Sequence, residues 1–451
     1  MSRRGRTIRR IVLGVLVLAV VAVIGGYWYE RPLLLTGTGY AAHNACAVRQ
    51  IAGRDDPTAD LPPNPLVPYL RDSTDGARTT GSLWGRLAIQ KAWYTKGYGC
   101  TLADEAPDLG TATAVGVKDN PFSGAPTPTP RKAVTQALAN AFGDDLPQDQ
   151  RAALGTRAVV VAQHGKIVGE RYADGFGPST PQLGWSMSKS VANLLVGRLV
   201  LDEVLTVDDA KLRKDWKGDK AKITIDQLMR MSSGLSWDET YALATPVTTM
   251  LYREEDMGAY AAGLDMAHKP GTYQQYSSGS TNIICSVLHE RTEVGADLPR
   301  QELFAKLGLS SAVWEPDASG TPVCSSYLWA TPRDWLTIGQ FALQGGQWAD
   351  QQLLPEDWMA QSTEVVKVDK TEEPGYAASW WTNKDAAGKR ISEILPREAY
   401  WAQGHDGQRL YVVPSADLVV VRLGFSPQVE PADLRADALV ADLVAALPVT
   451  K

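Results

Sequence analysis

"GWSMSKSVANLLVGRLVLDEVL", residues 184–205, joins a serine and a lysine three positions apart to a long apolar run. The run reads as a buried helix, and Lys189 stands at its entrance, one turn from Ser186. An ammonium is costly to desolvate, so its presence at that boundary calls for a chemical reason. Positions i and i+3 share a helix face, which brings Lys189 within reach of the Ser186 hydroxyl. That hydroxyl is a weak nucleophile until its proton is taken. Partial burial depresses a lysine pKa and fits the amine to accept a proton or to hold a nearby phenolate. A helix N-terminus also favours negative charge developing at an acyl centre. S-x-x-K is short, and a surface serine beside a snorkelling lysine fits it too. In this chain Ser186 alone satisfies it, between a strand pattern and an apolar helix.

Two further segments carry chemistry. In "KPGTYQQYSSGSTNII" (269–284) a Pro-Gly turn precedes Tyr276, Ser277 and Ser278, just before a helix pattern. Tyr276 can share the proton of Ser186, as base and then as acid, although a packed tyrosine is the commoner fate. In "WAQGHDGQRLYVV" (401–413) the turn "GHDG" opens a strand pattern. An edge strand beside the serine offers a backbone N–H to the oxyanion, expected from Gln408, with the N–H of Ser186 as the second donor. Gly407 would let substrate approach the backbone closely. Trp185, Trp237, Asp238 and Glu239 are further candidates for the cleft wall, where an acid could receive a cationic amine.

Taken together and in this order, the three elements resemble the serine β-lactamase and penicillin-binding-protein superfamily, in its class C branch. The motif set there is S-x-x-K, then Y-x-N or Y-x-S, then K-T-G or H-x-G. "ITIDQLMRMSSGL", "ATPRDWLTIGQFALQGGQW" and "GHDGQRLYVVPSADLVVVRLG" match in kind. With the cysteine-bearing N-terminal piece they look most like the 6-aminohexanoate-dimer hydrolase-like group. The resemblance implies an acyl-enzyme on Ser186 with Lys189 and Tyr276 managing the proton, either of them as base. It implies no cofactor or metal, and a small-molecule amide or ester as substrate. Two positions depart from the β-lactamase pattern. Ser278 stands where an asparagine is usual, and a hydroxyl grips a substrate amide less fully. His405 stands in place of the K-T-G lysine, so a fixed cation is replaced by an imidazole. Both favour an esterase or amidase. A D-amino-acid peptidase, a β-lactamase and a non-catalytic sensor or binding module are the rivals.

The rest of the chain sets the context. Its 451 residues are 44% hydrophobic, enough for a large core. Net charge is −6, and the five arginines in the first ten residues leave −11 on the remainder, which argues against nucleic acid as a partner. Residues 1–10 read as a basic cytoplasmic tail. Residues 11–29, "IVLGVLVLAVVAVIGGYWY", are uncharged and nearly match a hydrocarbon core of about 30 Å. They read as a transmembrane signal-anchor, with the arginines inside and Tyr27, Trp28 and Tyr29 at the outer interface. A cleaved secretory signal is the alternative. Either one exports the chain from residue 30 onward.

Residues 30–130 are expected as an extension of loops with a short helical stretch, "SLWGRLAIQKAWY", ending in a Pro-rich linker. Residues 131–448 are expected as the hydrolase domain. The fold class expected is α+β and β-lactamase-like. An antiparallel sheet is flanked by helices, with a mostly helical subdomain over about 195–390, preceded by one transmembrane helix. Cys46 and Cys100 flank one segment and are expected to be bridged. For Cys285 and Cys324 a bridge and two buried thiols stand as alternatives. The histidines are scattered, with no metal-ligand spacing.

Overall fold

The computed structural model describes residues 3–447, with side chains from residue 7 onward. A single helix, α1, runs from Arg3 to Gln50. Its first half is bare: Leu18 is 70% and Val23 73% exposed. From Leu35 to Val48 the same helix is buried in the folded body. Small residues allow this. A Cβ on Gly39 would lie 2.3 Å from the carbonyl oxygen of Tyr252, and one on Gly81 would lie 2.2 Å from that of Thr38. One helix therefore carries the apolar segment and the first residues of the extension, and it is continuous through residues 29 and 30.

Against the buried half of α1 lies an antiparallel sheet of β1 (Leu70–Asp75), β2 (Arg78–Leu83), β3 (Leu87–Thr95) and β4 (Gly99–Leu102), in that order. This corrects the helix expected over residues 82–94. Trp84 (φ 48) and Gly85 (φ 77) turn the chain back on itself. Ala88 and Ala92, spaced to suit either period, are both buried on the strand. The disulfide Cys46–Cys100 pins α1 to β4.

The main sheet draws on both ends of the domain. After the helix α2 (Lys132–Ala141) come β5 (Thr156–Gln163) and β6 (Lys166–Tyr172), and then the helix α3 (Met187–Leu201). Two more long helices follow, α4 (Ser278–Thr292) and α5 (Pro332–Leu343). The chain then returns as β7 (Trp381–Thr382), β8 (Tyr400–Gly404), β9 (Gln408–Val413) and β10 (Leu418–Gly424), and ends in α6 (Ala436–Ala446). The sheet order is β7-β8-β9-β10-β5-β6, antiparallel throughout.

Alternation decides which helix covers which face. Ala158, Val160 and Ala162 point to the core shared with α3 and α5, whereas Val159 and Val161 point to α2 and α6. Helices thus cover both faces, as expected. The region 195–390 is less helical than expected: after α5 it runs through short strands, turns, loops and one short helix, Trp358–Ser362. Cys285 and Cys324 are bridged, so the second pair is a disulfide too.

Candidate active site

The chain enters α3 through a strained step. Trp185 has φ 49, a region unfavourable for a bulky residue. The next three backbone bonds are Met187 N to Gly184 O, Ser188 N to Trp185 O and Lys189 N to Ser186 O. Such an i→i+3 turn eclipses positions i and i+3, which sets Lys189 directly over Ser186. Lys189 Nζ lies 2.9 Å from Ser186 Oγ, 2.9 Å from Ser278 Oγ and 3.0 Å from the carbonyl oxygen of Ser325. It is 1% exposed. Burial lowers its pKa to about 8, with Glu239 opposing the shift.

Ser278 opens α4 and is fully buried. Its hydroxyl donates to Glu239 Oε1 at 2.5 Å, and its amide N–H donates to Oε2 at 2.8 Å. Trp237 Nε1 donates to the same Oε2. Ser278 and Trp237, expected to contact substrate, are both turned to Glu239 here. Ser278 links Lys189 to Glu239, and Trp237, 8% exposed beneath Gly279, holds the carboxylate. Glu239 is occupied by these three donors. Asp238 accepts from the N–H of Thr240 outside the pocket.

Tyr276 lines the pocket with Ser186, and Lys189 Nζ stands 4.8 Å from the centre of its ring. Desolvation, then Tyr376 and Glu239, hold its phenol well above the usual tyrosine range. The phenol is therefore protonated at neutral pH. Trp381 stacks on it at 6.1 Å.

Gln408 and Gly407 do not face this pocket. The Gln408 N–H donates to the carbonyl oxygen of His405, closing the 3₁₀ turn His405–Gly407, and its side-chain amide donates to Gly424. An added Cβ on Gly407 would lie 2.4 Å from Arg422. The residues of this turn that line the pocket with Ser186 are Gly404 and His405. Gly404 is the glycine that permits close approach, since a Cβ there would lie 2.1 Å from the carbonyl oxygen of Gly184. Backbone N–H groups of Ser186 and His405 have no acceptor among the described residues. The His405 ring stacks on Tyr241 at 4.3 Å, and its Nε2 lies 3.4 Å from Asp406 Oδ1. Trp185 is buried edge-on against both rings.

The sequence did not single out three groups here. Tyr241, two residues past Glu239, lines the pocket. So does Glu373, whose carboxyl burial pushes up to about 7. Ser325 contributes only a carbonyl, for which a sequence carries no signal. Its neighbour Cys324 is tied to Cys285 on α4. Among the described residues no cluster of three or more His, Cys, Asp or Glu side chains is placed to hold a metal ion.

A buried serine–lysine pair at a helix N-terminus, with a protonated phenol and free N–H groups beside it, defines the equipment of a serine acyl-transfer enzyme. Comparison with known proteins agrees. The family model described as Beta-lactamase matches residues 135–445, and the chain belongs to that family as a serine hydrolase. It is 23% identical over 300 residues to the 6-aminohexanoate-dimer hydrolase of Paenarthrobacter ureafaciens, spanning 60% of this chain and 73% of that one. In structure it is similar to a putative 6-aminohexanoate-dimer hydrolase from Bacillus anthracis (TM-score 0.59, 21% identity, 75% of this chain and 92% of that chain). It is also similar to a family VIII carboxylesterase (TM-score 0.54, 15% identity, 72% and 99%). These two likenesses bear on the fold.

Proposed function

We propose that the chain is an exported, membrane-anchored hydrolase that cleaves an amide or ester through an acyl-enzyme on Ser186. The observation that carries this reading is the 2.9 Å contact between Lys189 Nζ and Ser186 Oγ, with the amine lowered to about 8.

Hydrogen-bond accounting favours the lysine as base. Ser278 spends its proton on Glu239, so its oxygen accepts from Lys189; the carbonyl of Ser325 can only accept. A neutral amine has two hydrogens for these two acceptors. Its lone pair is left for the hydroxyl of Ser186. As that proton passes to Lys189, Oγ bonds to the substrate carbonyl carbon. The oxyanion is held by the N–H groups of Ser186 and His405. Collapse breaks the bond to the leaving group, which takes the Tyr276 phenol proton, and the lysine proton restores the phenol. Water then attacks the acyl-enzyme through the same groups in reverse, releasing the acid and regenerating Ser186.

Export and anchoring are supported by the helix of Thr7–Gln50, long and apolar enough to cross a membrane, and by two disulfides. A retained anchor is favoured over a cleaved signal because the same helix continues into the core. An esterase or amidase is favoured over a β-lactamase because His405 stands in the pocket in place of a lysine and Ser278 is buried away from substrate. The domain limits proposed are a tail to residue 10, an anchor continuous with the extension to 130, and the hydrolase domain from 131.

The test is fluorophosphonate labelling with peptide mass spectrometry, beside assays on p-nitrophenyl esters, short linear amides and nitrocefin. An adduct on Ser186, ester turnover and little nitrocefin turnover are expected. Stable labelling without turnover of any ester or amide would instead support the binding-module reading. Fast nitrocefin hydrolysis would overturn the esterase preference.

A further inference from the structure

A second pocket, of about 490 Å³, adjoins the catalytic one. Tyr241 and His405 line both, so their stacked rings form the partition between them. Beyond the partition the walls are mostly apolar and aromatic, among them Tyr40, Pro63, Trp185, Leu243 and Tyr252. That is the size and character of a site for a largely apolar ligand. Nothing in the acyl-transfer chemistry above uses it.

Its position says what the ligand is. Thr36, Gly37 and Tyr40 of α1 form one wall. Thr36 lies only about 10 Å along the helix from Tyr29, at 1.5 Å per residue. Trp28 and Tyr29 are 63% and 82% exposed at the end of the bare apolar stretch, where aromatic residues mark a membrane interface.

A separate observation points the same way. The tip of the β2–β3 hairpin reaches the same level of α1: the N–H of Ala88 donates to the Tyr27 hydroxyl at 3.1 Å. This tip exposes Trp84, Leu87 and Ile89, with Tyr69 packed 5.6 Å from Trp84. A soluble surface has no use for such a cluster, whereas a bilayer interface accommodates it.

We propose that the substrate is a membrane amphiphile. Its ester or amide lies at Ser186 and its aliphatic tail enters the pocket behind Tyr241 and His405, while the hairpin tip rests in the interface and holds the pocket to the bilayer. The proposal rests on the hydrolase and anchor readings above and adds the substrate class and its source.

The full chain, reconstituted in phospholipid vesicles, is assayed on p-nitrophenyl esters from acetate to dodecanoate, with fluorophosphonate labelling of Ser186 as the control for a working site. Removing methylenes from water raises kcat/KM, by about tenfold or more from butanoate to octanoate. Ala242→Trp, at an exposed residue on the pocket wall, flattens this dependence. The pair Trp84→Glu and Leu87→Glu lowers the rate on vesicle-borne dodecanoate more than on soluble butanoate. A flat wild-type profile with normal labelling refutes the tail site and leaves the hydrolase intact. Equal effects of the hairpin pair on both esters refute the membrane as source. Absence of labelling sinks the hydrolase reading itself.

Discussion

Ser278 donates its hydroxyl proton to Glu239 across 2.5 Å. That bond fixes the direction of the whole network, because the serine oxygen is left to accept from Lys189 at 2.9 Å. A half-buried carboxylate on the pocket wall thus acts on a buried amine through one hydroxyl. Networks of this kind hold groups in place and exchange charge effects at low local dielectric.

Replacing that carboxylate tests the link. Glu239 opposes the burial-driven fall of the Lys189 pKa. Glu239→Gln keeps an acceptor oxygen and removes the charge. The pH profile of ester acylation should shift to lower pH, while circular dichroism stays native. An unmoved profile would show that the carboxylate does not act on the base.

In the wild type, acylation should rise with pH as Lys189 loses its proton and level off above about 8. Burst-phase measurement of p-nitrophenolate release reads this directly. Stability has the same sign. The lysine pKa is lower folded than unfolded, so the unfolded chain binds more protons between about 8 and 10.5. Unfolding free energy should climb over that window, by on the order of 3 kcal/mol. Lys189→Met should remove this dependence.

Tyr276→Phe separates the proton-donating step from the rest. A phenol held well above its usual range suits a donor to the leaving group. Loss of general acid help commonly costs about 10²–10⁴-fold. An alkyl ester or an amide should show that loss in kcat. A p-nitrophenyl ester, whose leaving group departs without a proton, should lose far less. Equal losses on both would point to a positioning role for the phenol.

The Cys285–Cys324 bridge joins the helix begun by Ser278 to the loop carrying Ser325, so both acceptors of Lys189 depend on it. It closes a sequence separation of 39 residues. Loop-closure entropy puts its loss at about 4 kcal/mol. The double variant Cys285→Ser and Cys324→Ser should unfold at lower denaturant and lose activity before it unfolds. Activity persisting at the wild-type level would mean that the loop holds its place without the bridge.

Much of the site was legible because its parts carry local signals. Ser186 and Lys189 share one turn, and Tyr276 precedes a helix start. What was hidden depends on direction and turn geometry. The oxyanion donor was sought at Gln408, three residues from His405, because a turn at Asp406 with φ 55 decides which N–H points where. Ser278 read as a substrate contact since nothing in the sequence brings Glu239 to it. The hairpin at Trp84 was missed because a bulky residue with positive φ gives no turn signal.

The central claim is that the substrate's acyl group passes through Ser186 Oγ. Rapid acid quench of a slow ester, followed by intact-mass and peptide analysis, tests it. The expected result is an acyl increment on the peptide bearing Ser186, absent in Ser186→Ala together with turnover. Undiminished hydrolysis by Ser186→Ala, or an acyl group on another residue, would contradict it.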